Sequence, residues 1–111
     1  MSHDAQVVAP KGKATIERAG ELKQSLEEAF SASDSVVLDL ADLTTIDLTA
    51  IHLVYAAKRY AERTDKQFHL SGAVSPHVAE AFMVGGFTKK TVTDGAELEE
   101  TLVDFGSAVD G

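Results

Sequence analysis

The chain has no cysteine, and that absence removes a disulfide framework, a thiol nucleophile, a Cys-ligated zinc site and a thiol redox switch. Proline is nearly as scarce, with 2 residues in 111, and no low-complexity tract interrupts the sequence. Basic residues are in deficit: 10 Lys and Arg stand against 18 Asp and Glu, for a net charge of −8 with neutral histidines. A chain of that sign repels nucleic acid and anionic membrane surfaces, so neither is expected as its main partner. Long apolar runs are missing too. Met1-Ser2-His3-Asp4-Ala5-Gln6 has neither the basic start nor the apolar stretch of about 7–15 residues that mark a secretory signal. No segment approaches the roughly 20 apolar residues needed to span a bilayer, so no direct membrane insertion is expected. The expectation is a soluble, cytoplasmic protein forming one domain over residues 1–111, with residues 106–111 fraying at the C-terminal end.

The residues that are present alternate between strand and helix patterns. Gln6-Val7-Val8-Ala9 is a short apolar run closed by Pro10-Lys11-Gly12, and Ala14-Thr15-Ile16 resumes it. From Glu17 to Phe30 the period becomes helical, with Ile16, Ala19, Leu22, Leu26 and Phe30 on one stripe. Ser35-Val36-Val37-Leu38-Asp39-Leu40 is too short for a helix and suits a strand covered on both faces. Asp42 to Asp47 is then a connection, and Thr49 to Arg63 a helix with Ala50, Leu53, Val54, Ala57 and Ala61 along one side. Phe68-His69-Leu70-Ser71-Gly72 predicts a third strand.

Ser75-Pro76 opens another helix, with serine as cap and proline at the first helical position; Val78, Ala81, Phe82 and Met83 follow, and Gly85-Gly86 ends it. Thr91-Val92-Thr93 predicts a last short strand. Asp94-Gly95-Ala96-Glu97 has capping-box spacing for a final helix striped by Leu98, Leu102 and Phe105. Successive strand–helix–strand units are almost always right-handed crossovers, so the fold class is α/β: a small, mostly parallel sheet with about four helices.

Catalytic chemistry finds little support in these residues. His3, His52, His69 and His77 fall on four different segments, and no pair has the i,i+4 spacing of a helical metal site, so no metal or cofactor is expected. Gly85-Gly86 lacks the lysine and hydroxyl residue of a phosphate loop, and Ser71-Gly72 lacks the flanking pattern of a nucleophile turn. No pair of carboxylates is singled out as an acid/base couple. The expectation is a protein that is not an enzyme.

One junction stands apart: Thr44-Thr45-Ile46-Asp47-Leu48-Thr49-Ala50-Ile51, between the apolar strand and the following helix. Asp47 can cap that helix and meet its positive dipole end, a role that requires no function. A hydroxyl just inside such a helix is equally a position where an added phosphate is stabilised.

Three pieces of the chain, taken in order, carry a likeness to a known family. Gly12-Lys13-Ala14-Thr15-Ile16 precedes Ala19-Gly20-Glu21-Leu22-Lys23; Val36-Val37-Leu38-Asp39-Leu40-Ala41-Asp42-Leu43 leads into the junction; Lys66-Gln67-Phe68-His69-Leu70-Ser71-Gly72 runs to Ser75-Pro76 and a helix ending in Gly85-Gly86-Phe87. In this order they resemble the STAS domain, named for sulfate transporters and anti-sigma factor antagonists, and most of all its short, stand-alone bacterial members. The resemblance implies a STAS-like α/β fold and a phosphorylation switch. In that switch the unphosphorylated domain binds an anti-sigma factor that is also a kinase, and phosphorylation of the hydroxyl residue after the signature aspartate breaks the complex. Carried over, Asp47 matches the aspartate, Leu48 occupies the phosphoacceptor position, Thr49 matches the second hydroxyl position and Ala50 replaces a glycine.

Leucine cannot accept a phosphate, so the standard switch cannot operate as written. Thr49 is the remaining phosphoacceptor candidate, though a one-residue shift turns its side chain about 100° around the helix. Ala50 for glycine is expected to raise helix propensity and add a small bump toward a partner. The resemblance implies a protein-interaction surface at Thr44, Thr45, Asp47, Leu48 and Thr49, extended by His52 and Arg59. Its partner would be a kinase-like anti-sigma factor, or else a component of a chemotaxis or phospholipid-transport complex. A third alternative is a nucleotide or small-anion module using the helix start. The oligomeric state is left open. The charge also has a place: residues 94–111 hold Asp94, Glu97, Glu99, Glu100, Asp104 and Asp110 with no base. The helix near the junction sets Lys58, Arg59, Arg63 and Lys66 against Glu62 and Asp65.

Overall fold

Two stretches of chain, each bent in the middle, lie side by side and set the frame of the computed structural model, which describes residues 5–102 and 105. The first stretch is β1 (Gln6–Val8), a kink at Ala9-Pro10-Lys11, and β2 (Gly12–Ala14). The second is β3 (Ser35–Asp39), a turn, and β4 (Leu43–Ile46). β1 pairs β3 in parallel, Val7 opposite Val37, and β2 pairs β4 in parallel, Ala14 opposite Ile46. β5 (Gln67–Ser71) pairs the other side of β3, also in parallel, giving the order β1-β3-β5 beside the pair β2-β4. Between them run a 3-10 turn (Ile16–Arg18), α1 (Ala19–Ala32) and α2 (Leu48–Arg63). α3 (Pro76–Val84) and α4 (Gly95–Thr101) follow β5. Among the described residues, four α-helices and small, mostly parallel sheets make the α/β architecture expected of the sequence.

The core lies between the sheet and its helices. Val36, Leu38, Phe68 and Leu70 alternate inward along β3 and β5, where they meet Leu22, Leu26 and Phe30 of α1 and Val54, Ala57 and Ala61 of α2. Phe30 anchors this layer, its ring 6.0 Å from Phe68 and 5.0 Å from Tyr60. Ser75 and Pro76 start α3 as predicted, with the Ser75 Oγ accepting from the Val78 N–H. Asp94 starts α4 in the same way, accepting the Glu97 N–H at 2.8 Å.

Five expectations need correction. The segment Asp42 to Asp47 is not merely a connection, because Leu43–Ile46 forms β4; Leu43 and Ile46 turn inward, and β2, distant in sequence, supplies the pairing. Thr91-Val92-Thr93 makes no strand. A single antiparallel bridge, Ala73 with Asp94, is all that forms there, since the chain must leave at Asp94 to cap α4. β3 is fully covered on one face only: Val37 is half-buried on the other, and its neighbour Val7 is 61% exposed. Finally, Ile16 does not join the α1 stripe. The 3-10 turn has a different pitch from the α-helix that follows, and it leaves Ile16 68% exposed. α4 also ends at Thr101, so Leu102 follows it as the C-cap and Phe105 lies beyond the helix. The C-terminal end from Gly106, expected to fray, and His3 both lie outside the described residues.

The exposed edge of β5 is closed by side chains rather than by another strand. The Glu99 carboxylate of α4 accepts the Leu70 N–H at 3.1 Å, while Lys58 Nζ of α2 donates to the Phe68 carbonyl at 3.0 Å. Lys58 and Glu99 face each other at 3.5 Å, and His69 Nδ1 lies 2.9 Å from the same carboxylate. Backbone groups that would otherwise template another strand are thereby satisfied.

Candidate functional site at the start of α2

Asp47 organises this site. It is the N-cap of α2, with extended backbone, and its Oδ1 accepts the Ala50 N–H at 3.1 Å. Its other oxygen, Oδ2, accepts the Ile16 N–H at 2.7 Å from a residue 31 positions earlier. The Asp47 N–H donates to the Ala14 carbonyl at 3.0 Å, extending the β2–β4 pairing by one bond. The carboxylate is therefore committed on both sides to backbone donors. It holds the helix start against the first strand segment and stays half-buried while doing so.

The consequences appear on either side of it. Leu48, the first residue of α2, is 55% exposed, and Ile16, drawn in by the second oxygen, projects beside the same junction. Two exposed branched aliphatic residues thus flank one half-buried carboxylate whose oxygens both accept backbone N–H groups. Thr44 is exposed on β4, Thr45 is half-buried in register with Lys13 of β2, and Thr49 is half-buried in the first turn of α2. These five predicted residues, Thr44, Thr45, Asp47, Leu48 and Thr49, are brought together.

His52 lies one turn further along, exposed, with its ring edge-on to Phe87 at 6.4 Å. Arg59 is exposed on nearly the same azimuth as Leu48, since 11 residues close about three turns, but it stands roughly 16 Å along the helix axis. Ala50 differs from its expectation. It is fully buried, so its methyl group fills the core beneath the helix start and presents no bump to a partner.

Ile16 is the surface residue that spacing alone misses. Its position three before Ala19 and six before Leu22 marks it as core, and no local residue announces the 3-10 turn that exposes it. Among the described residues no three His, Asp or Glu side chains converge as a metal site. His52, His69 and His77 remain on separate segments. Among the described residues no helix is long and apolar enough to cross a membrane.

Comparison with known proteins agrees with this frame. A solved structure from Thermotoga maritima, named a "putative anti-sigma factor antagonist", superposes with a TM-score of 0.64 at 16% sequence identity; the match covers 78% of this chain and 74% of that one. Such a level of identity speaks for the fold alone. A comparison with curated proteins finds no match. The family model described as "Mlab, STAS domain" matches residues 1–102, which takes in every strand and helix described above, and the chain therefore belongs to that STAS family.

Proposed function

We propose that residues 1–111 form one non-enzymatic STAS module of the bacterial cytoplasm whose product is a regulatory protein–protein contact, in the manner of anti-sigma factor antagonists. The contact is centred on Thr44, Thr45, Asp47, Leu48 and Thr49 and extended by His52 and Arg59. The observation that carries this reading is Leu48, 55% exposed directly after the capping aspartate. An aliphatic side chain there is a constitutive apolar anchor where a phosphorylated hydroxyl would repel a partner. Ile16 adds a second apolar contact beside it. The partner is a protein, a kinase-like anti-sigma factor or another signalling or transport component. Thr49 is at most an auxiliary phosphoacceptor, because its hydroxyl is turned about 100° from the Leu48 position.

The test is Leu48→Asp. Aspartate in the first helical turn favours the dipole, so the fold should be retained with unchanged thermal unfolding. Capture of the native partner in a pull-down from the source cell should fall at least about tenfold, the effect of losing roughly 1.4 kcal/mol of contact. Undiminished capture would overturn the reading. Mass spectrometry of the protein from its native cell tests Thr49 directly, with an unmodified residue expected.

A further inference from the structure

A second surface lies between α1 and α2, apart from the Asp47 junction. It is a groove of about 430 Å³ whose apolar lining comes from Leu26, Phe30, Leu53, Ala56, Ala57 and Tyr60. Tyr60 is 37% exposed there although its ring packs edge-on against Phe30, so a large aromatic face is left partly uncovered. Lys23, Glu27 and Arg63 stand on the rim. Glu27 is already matched by Lys23 at 3.8 Å, while Arg63 forms no ion pair among the described residues.

The charge around this groove runs against the charge of the whole chain. On the groove's rim Lys23 and Arg63 outnumber Glu27, and the exposed α2 positions that line it, Ala56, Tyr60 and Arg63, include no acid. That pattern occurs in a chain of net charge −8. A helix face that is apolar and basic, beside a concave seam, fits an apolar face flanked by carboxylates. From Lys23 to Ser31 the seam is roughly 12 Å long, enough for two turns of a helix lying in it.

We infer that the α1–α2 groove docks an acidic amphipathic helix of a partner protein, its apolar side against Tyr60 and Leu53 and its carboxylates toward Arg63 and Lys23. A helix in a groove is a recurring recognition mode. An anionic membrane would offer similar chemistry, but it is flat where this seam is concave, and it repels a chain of net charge −8. The inference goes beyond the contact proposed for Leu48 and uses different residues.

The experiment uses the full chain and three amphipathic helical peptides of about five turns, roughly 18 residues. They share one leucine face and carry Glu, Gln or Lys on the other. Binding is read by fluorescence anisotropy. The Glu peptide should bind about tenfold more tightly than the Lys peptide, as two screened ion pairs allow. Ala56→Gln, an exposed helical position that tolerates glutamine, should weaken the Glu peptide, and the double change Lys23→Glu with Arg63→Glu should reverse the preference toward Lys. Leu48→Asp should leave all three affinities unchanged, which separates this surface from the junction. Equal binding of the Glu and Lys peptides, no binding of any peptide, or indifference to Ala56→Gln would overturn the inference. So would co-sedimentation with phosphatidylglycerol-containing vesicles in place of peptide binding.

Discussion

Two helices of this protein begin with aspartate, and the two starts are built for different purposes. At α4 the cap is local. Asp94 accepts the Glu97 N–H, and Glu97 turns back to accept the Thr93 N–H at 3.0 Å, so three residues within one turn satisfy one another. The return bond reaches Thr93, one residue before the cap, where the usual capping box would reach the cap itself. The first residue of α4, Gly95, is buried against Ser71, and this start faces inward. At α2 the cap is long-range. Asp47 gives one oxygen to its own helix and the other to Ile16, and the residues around it face outward. The same side chain starts a helix by purely local bonds in one place and joins distant segments in the other. The outward one is the start at which Leu48 and Ile16 are displayed.

The comparison can be broken most forcefully at the inward start. A Cβ on Gly95 would overlap the Ser71 backbone, and one on Gly72, at φ +86°, would overlap Asp39 Oδ1. Neither neighbour is a free side-chain tip: one is backbone, and the other is an oxygen held by the Ala41 N–H at 2.9 Å. Gly95→Ala and Gly72→Ala should each destabilise by about 3 kcal/mol or more, as overpacking and left-handed strain require, visible as a lower urea midpoint. Should Gly95→Ala prove neutral, the close packing of α4 on β5 is wrong.

Asp47→Ala should come next, at about 2 kcal/mol, because it removes a cap and also leaves the Ile16 N–H without its acceptor. Asp94→Ala removes a local cap only and should cost about 1 kcal/mol. Equal losses for the two aspartates would erase the distinction between them. Hydrogen exchange sharpens it: Asp47→Ala should speed exchange at Ile16 as well as at Ala50, whereas Asp94→Ala should act near Glu97 alone.

The smallest effect is a pH dependence at Glu97. Its carboxyl is held below the usual carboxylate value, first by the Thr93 backbone N–H and then by Lys90, whose Nζ is 3.1 Å away. A depressed carboxyl favours the folded state above its ordinary titration range, and that contribution is lost as pH falls through the folded value. Glu97→Gln should therefore lower stability slightly at neutral pH and flatten the loss that the parent chain shows below about pH 4.5. Because the Glu97 side chain keeps about a third of its surface in solvent, the difference should be small beside either aspartate.

Much of this frame is legible in residue order. Ser75-Pro76, Asp94-Gly95 and Asp47 mark three helix starts through chemistry that acts within three or four residues, and all three caps form. The stripe Leu22, Leu26 and Phe30 is buried because the period of a helix needs no distant partner to be recognised. The failures share a cause. β4 exists because β2 pairs with it across about thirty residues, and Thr91-Val92-Thr93 lacks a strand because the nearby partner is lost after one bridge. At the site, the cap and the position of Leu48 at its first turn are sequence-level facts, but the exposure of Ile16 is not.

Residue order alone establishes the helices and their caps, the absence of thiol chemistry, and an acidic balance concentrated in the last eighteen residues. Those follow from composition and from interactions between near neighbours. Only folding in three dimensions sets the second oxygen of Asp47 on Ile16, turns Ala50 to the core, and covers the free edge of β5 with Lys58 and Glu99. It likewise places Arg63 and Tyr60 over a seam with α1. The physical reason is the same in each case: a hydrogen-bond donor or an apolar face has no assigned partner until folding brings together residues that lie on different elements, 10 to 31 positions apart for these bonds.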